Sequence, residues 1–344
     1  MSFAMQIEAI TGALADPTRL RIMRLLEHLE LAVGELAQVL GQSQPRVSRH
    51  VAVLCDSGLA ERRREGSWVF LRSAIARRSA RPLASAVARL LDAAEGEDTQ
   101  FAARCVEDRR HLAAIRAVRE KSAADYFART AEEWDSLRAL LSPDEPVEAA
   151  LLNALAKPSG DAFLGRLLDI GTGTGRMADL LAPRAEHVVA LDRSPEMLRL
   201  ARARLQKLPP ERWELVQADF SALPFEPESF DTIIFHQVLH YAQDPGYVLQ
   251  EAARVCRLGG RIAIVDLAAH EREELRKQHA HVRLGFSDEQ MLTLLSESGF
   301  TPALPVAALP GSKLTTQIWI AGREALGDQT PQDVEVLQPM RGAP

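Results

Sequence analysis

The 344-residue sequence lacks several features that would place it in other classes of protein. No apolar run is long enough to span a bilayer, which argues against a membrane protein. The N-terminus has no basic start followed by an apolar core, so no secretory signal is expected. Only three cysteines occur, Cys55, Cys105 and Cys256, and they lie far apart. We therefore expect reduced thiols in a cytoplasmic protein, with neither a disulfide framework nor a metal knot.

Lysine is absent from the first 90 residues, where thirteen arginines and eight acidic residues leave a net charge of +5. The rest of the chain then carries −11, because the whole sequence has a net charge of −6. A basic part joined to an acidic part is typical of a nucleic-acid module attached to a small-molecule module. A chance difference in charge between two solvated surfaces would give the same numbers. The sequence motifs therefore have to distinguish these two interpretations.

The residue pattern divides the chain into four parts. Residues 1–95 pattern as short helices followed by a hairpin, and residues 96–144 as a charged helical connector broken near Gly96. Residues 145–325 alternate strand-like runs with amphipathic helices, which predicts βαβ units and a parallel sheet. Residues 326–344 are polar and proline-rich, and we expect them to be disordered.

A helix–turn–helix is predicted near the N-terminus. Asp16 can cap a helix whose first position is Pro17. A short helix ends at Leu40, Gly41-Gln42 forms a turn, and Ser43 is placed to cap a second helix. At about 100° per residue, the second helix has an apolar face and an opposite polar face with polar flanks. Its predicted DNA-contacting residues are Gln44, Arg46, Ser48, Arg49 and His50.

A basic hairpin follows this second helix. Two β-prone runs flank Glu65-Gly66-Ser67, and the triplet Arg62-Arg63-Arg64 precedes that turn. A basic triplet alone is usually a solvated surface. At this interval after a helix–turn–helix, it predicts a wing whose three arginines lie along the phosphate backbone of double-stranded operator DNA.

The segment LADPTRLRIMRLL…GELAQVLGQSQPRVSRHVAVLCDSGLAERRREGSWVFLR resembles ArsR/SmtB-type winged-helix repressors. The resemblance implies a homodimer, and many members of the family release DNA when a metal binds. This sequence has Leu36-Ala37-Gln38 where metal sensors carry cysteines, and the helix after the wing has no His or Glu pair at ligand spacing. We therefore expect no metal, and an effector that acts elsewhere in the chain.

A glycine-rich loop follows the first strand-like run of the C-terminal part. The strand 164–170 leads into Gly171-Thr172-Gly173-Thr174-Gly175 and then into a helix that begins at Arg176. Glycine is needed where the backbone bends sharply beneath a ligand. The dinucleotide fingerprint has its third glycine one position later, which argues against NAD or FAD.

Ligand-type residues follow the next two strand-like runs. Asp192 ends the second strand and can accept hydrogen bonds from both hydroxyls of a ribose. Met197, in the helix after it, is placed to contact an adenine. Asp219 and Phe220 end the third strand, and they suit an adenine amino group and an aromatic contact. Ligands of open α/β sheets bind at this edge.

Five stretches in order, LLDIGTGTGR, ALDRSPEML, QADFSALPF, FDTIIFHQVLHYAQDP and RLGGRIAIVDL, resemble class I S-adenosylmethionine-dependent methyltransferases. The resemblance implies S-adenosylmethionine or S-adenosylhomocysteine as the cofactor, with Asp169 ordering the glycine loop and meeting the ligand's ammonium. The implied cofactor contacts are Asp169, Gly171, Gly173, Gly175, Asp192, Met197, Asp219, Phe220 and His236.

The expected fold class is therefore α/β with two domains. An N-terminal winged helix-turn-helix (α+β) precedes a C-terminal doubly wound, Rossmann-like class I methyltransferase sheet. The whole arrangement also resembles ArsR-type regulators fused to a C-terminal methyltransferase domain.

Two functions remain open from the sequence. The chain could be a DNA-binding regulator, expected to be a repressor, that senses S-adenosylmethionine or S-adenosylhomocysteine. It could instead be an active methyltransferase of a small-molecule acceptor, with an autoregulatory DNA-binding domain. Sensing is preferred, because without a metal site some other effector must act.

Methyl transfer needs alignment and often a base. The candidate catalytic residues are His236 and His240, with His270 and His281 behind them, although any of these could be an ordinary packed histidine. Three aromatic residues of the connector could close over the ligand and report its presence to the winged helix, or could merely pack between the domains. They are Tyr126, Phe127 and Trp134.

Overall fold

The computed structural model describes residues 6–27, 29–65, 67–75, 82–139, 144–156, 163–303, 307–311 and 314–324. The tail 326–344, which we expect to be disordered, lies outside these ranges. None of the described helices combines the length and the apolar character needed to cross a bilayer. All three cysteines are described and are free thiols.

The N-terminal part is a winged helix-turn-helix. Its helices are α1 (Ile7–Leu14), α2 (Pro17–Leu25), α3 (Val33–Leu40), α4 (Gln44–Asp56) and α5 (Pro82–Glu97). Its strands are β1 (Leu31–Ala32), β2 (Ala60–Glu65) and β3 (Trp68–Ser73), paired antiparallel in the order β1-β3-β2. Strands β2 and β3 form the predicted hairpin, in which Glu65 pairs with Trp68.

Capping residues define where the helices of the winged helix-turn-helix begin and end. The Asp16 carboxylate accepts hydrogen bonds from Thr18 N at 2.8 Å and Arg19 N at 3.1 Å, which confirms it as the cap of α2. Gly41 ends α3 with a φ of +63°, a conformation that glycine adopts at little cost. Ser43 occupies the cap position of α4, but its side chain makes no capping hydrogen bond.

One long helix, α6 (Thr99–Thr130), forms most of the connector. It begins at Asp98, whose side chain accepts from Gln100 N and Phe101 N, so the break lies two residues after the predicted Gly96. Two shorter helices follow, α7 (Trp134–Ala139) and α8 (Asp144–Leu155). Ion pairs attach α6 to the winged helix, with Arg21 to Asp108 at 2.5 Å and Arg119 to Glu35 at 2.6 Å.

The C-terminal part is an eight-stranded sheet with helices on both faces. Its strands are β4 (Gly165–Ile170), β5 (Ala185–Asp192), β6 (Trp213–Gln217), β7 (Phe230–His236), β8 (Cys256–Leu267), β9 (Thr301–Pro302), β10 (Ala307–Pro310) and β11 (Thr315–Gly322). Its helices are α9 (Arg176–Leu181), α10 (Pro195–Leu205), α11 (Pro245–Val255), α12 (Glu274–Gln278) and α13 (Asp288–Glu297).

The strand order is β10-β11-β8-β7-β4-β5-β6, and β9 pairs with β11. Strands β4 to β8 run parallel, whereas β10 and β11 are antiparallel, so the predicted parallel sheet carries an antiparallel edge. The chain order reverses between β4 and β7. Such a switch point opens a crevice at the carboxyl ends of the strands, where ligands bind in open α/β sheets.

Apolar side chains cover both faces of the sheet. Leu168 and Ile170 of β4 belong to one buried cluster, and Leu167 belongs to the cluster on the opposite face. Successive residues of a strand point to opposite faces, so a strand buried on both faces must be apolar throughout. This requirement explains the continuous apolar runs in the sequence, and it fixes the strand ends rigidly at one edge.

Candidate functional site

A cavity of about 790 Å³ opens at the carboxyl edge of the parallel sheet. This volume falls within the range of about 300–1,000 Å³ that is usual for small-molecule sites. The walls are the ends of β4, β5 and β7, the connector helix α6, and Trp68 of the wing. The cavity therefore extends from the parallel sheet to the winged helix.

Eight of the nine predicted cofactor residues line this cavity: Asp169, Gly171, Gly173, Asp192, Met197, Asp219, Phe220 and His236. Gly175 is not part of the wall. A Cβ atom at this position would lie 3.0 Å from Ala201 Cα, so the structure gives Gly175 the role of letting α9 pack closely against α10.

The other two glycines of the loop bring the backbone to the cavity. Gly171 has a φ of +68°, and a Cβ there would lie 2.3 Å from Val238 Cγ2, so no larger residue fits. Gly173 has a φ of +54°, and its backbone N–H donates to Asp192 Oδ2 at 2.8 Å. This hydrogen bond ties the loop to the end of β5.

Asp169, at the end of β4, is a buried carboxyl group that can accept a further hydrogen bond. Its Oδ2 accepts from Thr172 Oγ1 at 2.6 Å and from Ala178 N at 3.1 Å. Its Oδ1 is buried and has no hydrogen-bond partner in the part of the chain that the structure describes. Burial raises the pKa of Asp169 to about 6. A ligand ammonium at this point would favour the ionised form, as the implied role requires.

Asp192 presents a second carboxyl group where β5 ends. It accepts from Gly173 N at 2.8 Å and from Ser194 N at 2.9 Å, and burial raises its pKa. A carboxylate has room for about four hydrogen bonds in total. Asp192 can therefore hold the loop and also accept from a diol such as a ribose.

Arg138 is a wall residue that the sequence analysis missed. Its side chain is 6% exposed and pairs with Asp144 at 2.6 Å, but its Nη2 has no partner among the described residues. A buried guanidinium nitrogen facing a cavity suits an anionic group such as a carboxylate. No sequence signal marked it, because α7 lies before the first strand and carries no ligand motif.

The two predicted catalytic histidines differ in their access to the cavity. His236 lines it, and its Nε2 has no hydrogen-bond partner within the described ranges. Burial lowers the pKa of His236 to about 3, so the ring is neutral at pH 7. His240 is 3% exposed and lies outside the lining of the cavity. Its Nδ1 is 2.6 Å from Asp266 Oδ1. His240 therefore supports the wall from behind.

The other two candidate histidines also separate. His281 lines the cavity and packs against His240, with ring centroids 4.2 Å apart, whereas His270 is not part of the wall. Burial lowers the pKa of His281 far below its usual value and that of His270 to about 4. Both rings are therefore neutral at pH 7.

Aromatic residues of the connector form one side of the cavity. Phe127 and Trp134 line it, and the Phe127 ring lies 5.4 Å from Trp134 and 4.9 Å from Tyr241 between centroids. Tyr126 lies outside the lining, where its hydroxyl is 2.8 Å from His279 Nδ1. Two of the three connector aromatics are thus placed to contact a ligand.

Backbone strain also marks the cavity. Within the described ranges, three residues other than glycine have a positive φ: Glu228, Gln237 and Ala280. Gln237 and Ala280 both line the cavity. Such backbone conformations cost about 1–3 kcal/mol and concentrate at ligand sites, where the surrounding structure maintains them.

The predicted DNA-binding residues of α4 lie mostly on its open side. Gln44, Arg46, Ser48 and Arg49 are exposed, whereas His50 is half-buried with its Nδ1 3.6 Å from Asp16 Oδ1. His50 is therefore turned toward the cap of α2. A second hollow of about 460 Å³ is lined by Gln44 and Ser48 together with Arg62 and Trp68 of the wing. The helix and the wing thus form one surface.

The three wing arginines have different surroundings. Arg62 and Arg64 are exposed, as expected for phosphate contacts. Arg63 instead pairs with Glu30 at 3.1 Å and with Glu65 at 2.9 Å. Since β-strand side chains alternate between faces, the middle arginine of the triplet points to the opposite side. In this structure Arg63 is engaged in ion pairs, and its contact with a DNA phosphate stays a prediction.

The face of the wing that carries Arg63 is docked on the C-terminal domain. Glu65, 7% exposed, accepts from Arg276 at 2.8 Å and from Leu284 N at 2.5 Å. Arg283 pairs with Glu30 at 2.6 Å. Arg276 also lies over the Trp68 ring at 4.3 Å. We call the four charged residues Glu30, Glu65, Arg276 and Arg283 the wing clamp.

No group of three or more His, Cys, Asp or Glu side chains is arranged to hold a metal ion in the described residues. The ligand chemistry of the cavity is instead that of an organic molecule, with carboxyl groups, a guanidinium group and aromatic rings on its walls.

Comparison with known proteins identifies two regions of the chain. Residues 16–62 match the family described as "Bacterial regulatory protein, arsR family", and residues 168–264 match the "Methyltransferase domain" family. These matches agree with the winged helix and with the cavity-bearing sheet.

Curated relatives match the C-terminal region. A demethylmenaquinone methyltransferase of Clavibacter sepedonicus is 35% identical over 144 residues, which are 41% of this chain and 56% of that protein. A phosphatidylethanolamine N-methyltransferase of Cereibacter sphaeroides is 38% identical over 113 residues, which are 32% of this chain and 55% of that protein. The chain thus spans about half the length of each of these relatives.

Among solved structures, a SAM-dependent methyltransferase from Aquifex aeolicus aligns with 56% of this chain and 97% of its own, at 21% identity and a TM-score of 0.44.

Proposed function

We propose that this chain, which joins an arsR-family regulatory segment to a methyltransferase domain, is a DNA-binding transcriptional regulator. Its effector is S-adenosylmethionine or S-adenosylhomocysteine, bound at the carboxyl edge of the C-terminal sheet. The regulator acts as a homodimer on double-stranded operator DNA and represses transcription.

One observation carries this proposal: the ligand cavity and the hollow beside α4 share wall residues. Trp68 of the wing and Arg119 of α6 line both of them. A ligand that fills the cavity therefore contacts side chains that also shape the predicted DNA surface. Effector action requires only that the ligand bind one arrangement of these residues more tightly than another.

The cavity residues fit the proposed effector. Asp192 can accept from the ribose, Met197 and Phe220 offer apolar surface for the adenine, and the free Oδ1 of Asp169 suits the ammonium. The open Nη2 of Arg138 suits the carboxylate. Unpartnered buried polar atoms are costly, so opposite charges meeting both ends of an amino acid would stabilise the site.

The wing clamp provides the physical link to DNA. Arg276 lines the cavity and also pairs with buried Glu65 of the wing. Breaking a buried ion pair by removing one partner costs about 3–5 kcal/mol, so a ligand that shifts Arg276 changes how firmly the wing is held. Wing position in turn decides whether Arg62 and Arg64 reach the phosphates of a bound duplex.

Operator binding measured with each ligand tests the proposal. A duplex selected from a random DNA library would be titrated with the full chain, alone and with S-adenosylmethionine or S-adenosylhomocysteine. We expect at least one ligand to change the DNA affinity by about 5- to 150-fold, the usual range of allosteric coupling. Equal DNA affinity under all three conditions, at ligand levels shown by calorimetry to saturate the protein, would overturn the effector role.

A matched pair of variants tests the wing clamp. Glu65→Gln removes the buried charge that Arg276 contacts, and we expect it to reduce the ligand dependence of operator binding. Glu61→Gln, on the same strand, affects only an exposed pair with Arg72, whose side chains are 57% and 45% exposed. It should leave the ligand dependence intact.

Methyl transfer is a second candidate function, favoured because neutral His236 lies on the cavity wall. S-adenosylmethionine supplies a methyl group on a sulfonium, and this chain would align an acceptor and take its proton. Incubation with labelled S-adenosylmethionine and a panel of small hydroxy and amino compounds would detect transfer. If transfer occurs and His236→Ala lowers its rate without changing affinity for the donor, His236 is the base.

A further inference from the structure

The cavity extends well beyond the residues assigned to the adenosyl ligand. At its far end it is lined by Leu29, Trp68, Arg116, Gln243, Asp244 and Tyr247, which we call the distal chamber. Arg116 and Phe127 both lie on α6, eleven residues apart, and a helix rises 1.5 Å per residue, which separates them by about 16 Å along its axis. Phe127 packs beside the glycine loop through Trp134. The distal chamber therefore extends the same cavity along α6, away from the glycine loop.

Arg116 is the unusual side chain of this chamber. Its Nε is buried without a hydrogen-bond partner, and within the described residues its guanidinium makes no ion pair at contact distance. Burial lowers the pKa of Arg116, and the carboxylates of Glu35 and Asp244 offset only part of this effect. A guanidinium in this position costs free energy until an anion joins it.

Neither carboxylate near Arg116 bonds to it, and only that of Glu35 is fully engaged elsewhere. Glu35 holds Arg119 at 2.6 Å and accepts from Ala32 N at 3.0 Å. Asp244 Oδ1 accepts from Tyr247 N at 3.1 Å, and its Oδ2 is buried with no partner in the described chain. Arg116 and Asp244 thus face one chamber without bonding to each other, and a bound molecule could satisfy both.

Apolar residues interrupt the polar ones on the wall between Arg116 and the glycine loop. Along α6, Ala123, Ala124 and Phe127 line the cavity beside the polar Arg119, Glu120 and Ser122, and Trp68 and Leu29 add apolar surface at the distal end. Small residues on the helix leave space for a long, flat body beside it. A ligand for this space has one charged end and an apolar length, which a second nucleoside would not provide.

We propose that the distal chamber binds the carboxylate of an elongated organic acid on Arg116, with the apolar or aromatic body of the acid lying along α6. The inference rests on the proposed function only in assigning the strand-end half of the cavity to the adenosyl ligand. Asp244 Oδ2 takes a hydroxyl or amino group near the carboxylate. The bound acid contacts Trp68, so it is a second signal to the wing.

Biphenyl-4-carboxylate and its neutral analogue biphenyl-4-carboxamide are suitable probes, because they differ only in charge at one end. Each would be titrated by calorimetry into the full chain saturated with S-adenosylhomocysteine, with Trp fluorescence as a second readout. We expect the carboxylate to bind at least about tenfold more tightly than the amide, as a charged hydrogen bond typically contributes.

Variants on one helix identify the residue. Arg116→Gln should weaken carboxylate binding about tenfold or more, Arg116→Lys should restore part of it, and neither should change the affinity for S-adenosylhomocysteine. Arg110→Gln, at an exposed position of α6 outside the cavity wall, is the matched control and should bind like the unchanged chain.

Equal binding of acid and amide, or an Arg116→Gln chain that keeps full affinity for the acid, would overturn the inference. Either result would leave the effector role standing, provided that S-adenosylhomocysteine still binds and changes operator affinity. Loss of S-adenosylhomocysteine binding in the unchanged chain would instead overturn the proposed function.

Discussion

Asp169, a carboxyl group at a strand end, is buried, yet its proposed contact with a ligand ammonium requires it to be ionised. Asp169 must stay buried to order the glycine loop through Thr172 and Ala178, yet burial raises its pKa to about 6. A carboxyl whose pKa is raised on folding makes the folded state less stable as pH rises through that pKa. A ligand ammonium reverses this penalty, because it pairs with the ionised form.

Ligand affinity should therefore depend on pH. Between pH 5 and 6, binding of S-adenosylhomocysteine has to remove a proton from Asp169, so we expect affinity to rise with pH, by up to about tenfold per unit, and to level off above pH 7. Calorimetry at several pH values, in buffers of different ionisation enthalpy, would measure the affinity and the released proton. Asp169→Asn should flatten the profile, and a profile equally steep in that variant would contradict this assignment.

Single residues also show what the sequence could predict. Asp192 and Met197 could be predicted as cavity residues, because Asp192 ends a strand and Met197 lies in the first turn of the capped helix that follows it. Arg138 and Arg116 were missed because they come from the connector, whose position relative to the sheet is set by tertiary packing. Arg63 differs from Arg62 and Arg64 because the alternation of side chains along a strand, not composition, decides which arginine of the triplet faces outward.

At the scale of elements, the glycine loop combines a backbone requirement with a ligand requirement. Gly173 has a φ of +54° and borders the cavity, with an added Cβ 3.5 Å from Trp134 Nε1. Gly259 has a φ of +79° and open space around an added Cβ. The two positions therefore share the cost of a left-handed conformation, but only one of them lies at the ligand.

Replacing each glycine with alanine separates the two requirements. Gly173→Ala and Gly259→Ala should each lower the free energy of unfolding by about 1–2 kcal/mol in urea titrations. Only Gly173→Ala should also weaken S-adenosylhomocysteine binding, because its methyl group projects toward the ligand space. Equal ligand affinity in both variants would show that the loop does not contact the ligand.

Most elements were predicted from periodicity, and the errors are informative. The parallel strands were located to within a few residues, since both of their faces are apolar. Strand β8 begins at Cys256, before the apolar run that the sequence shows after Gly260, because Cys256 pairs with Phe230 of β7 ahead of a register shift. A bulge of this kind involves a distant strand, so local sequence does not reveal it.

At the scale of the molecule, the proposed dimer has to bury apolar surface that one chain leaves open. Leu90 on α5 is 57% exposed, and so is Ile7 on α1. Both lie in the winged helix, the part that must present two copies of α4 to an operator with two half-sites. Exposed large apolar residues are typical of an interface between identical chains.

A charge at Leu90 should separate the two chains. We expect Leu90→Glu to shift the protein from dimer to monomer, and to weaken operator binding at least about tenfold, since one half-site then acts alone. Light scattering during gel filtration would give the mass. Val118→Glu, at a 71% exposed position of α6, is the control and should remain dimeric. A dimeric Leu90→Glu chain would place the interface elsewhere.

The 32-residue helix α6 limits the insertions and deletions that the connector can accept. Its Leu112 packs in the winged-helix core, while its Phe127 lines the ligand cavity, so the two ends are fixed in rotation as well as distance. One inserted residue would turn one end by about 100° relative to the other, whereas seven would add nearly two full turns. Insertions into α6 are therefore compatible with function only when their length is close to a whole number of helical turns. A flexible hinge within α6 would uncouple the ligand cavity from the winged helix while leaving each half folded.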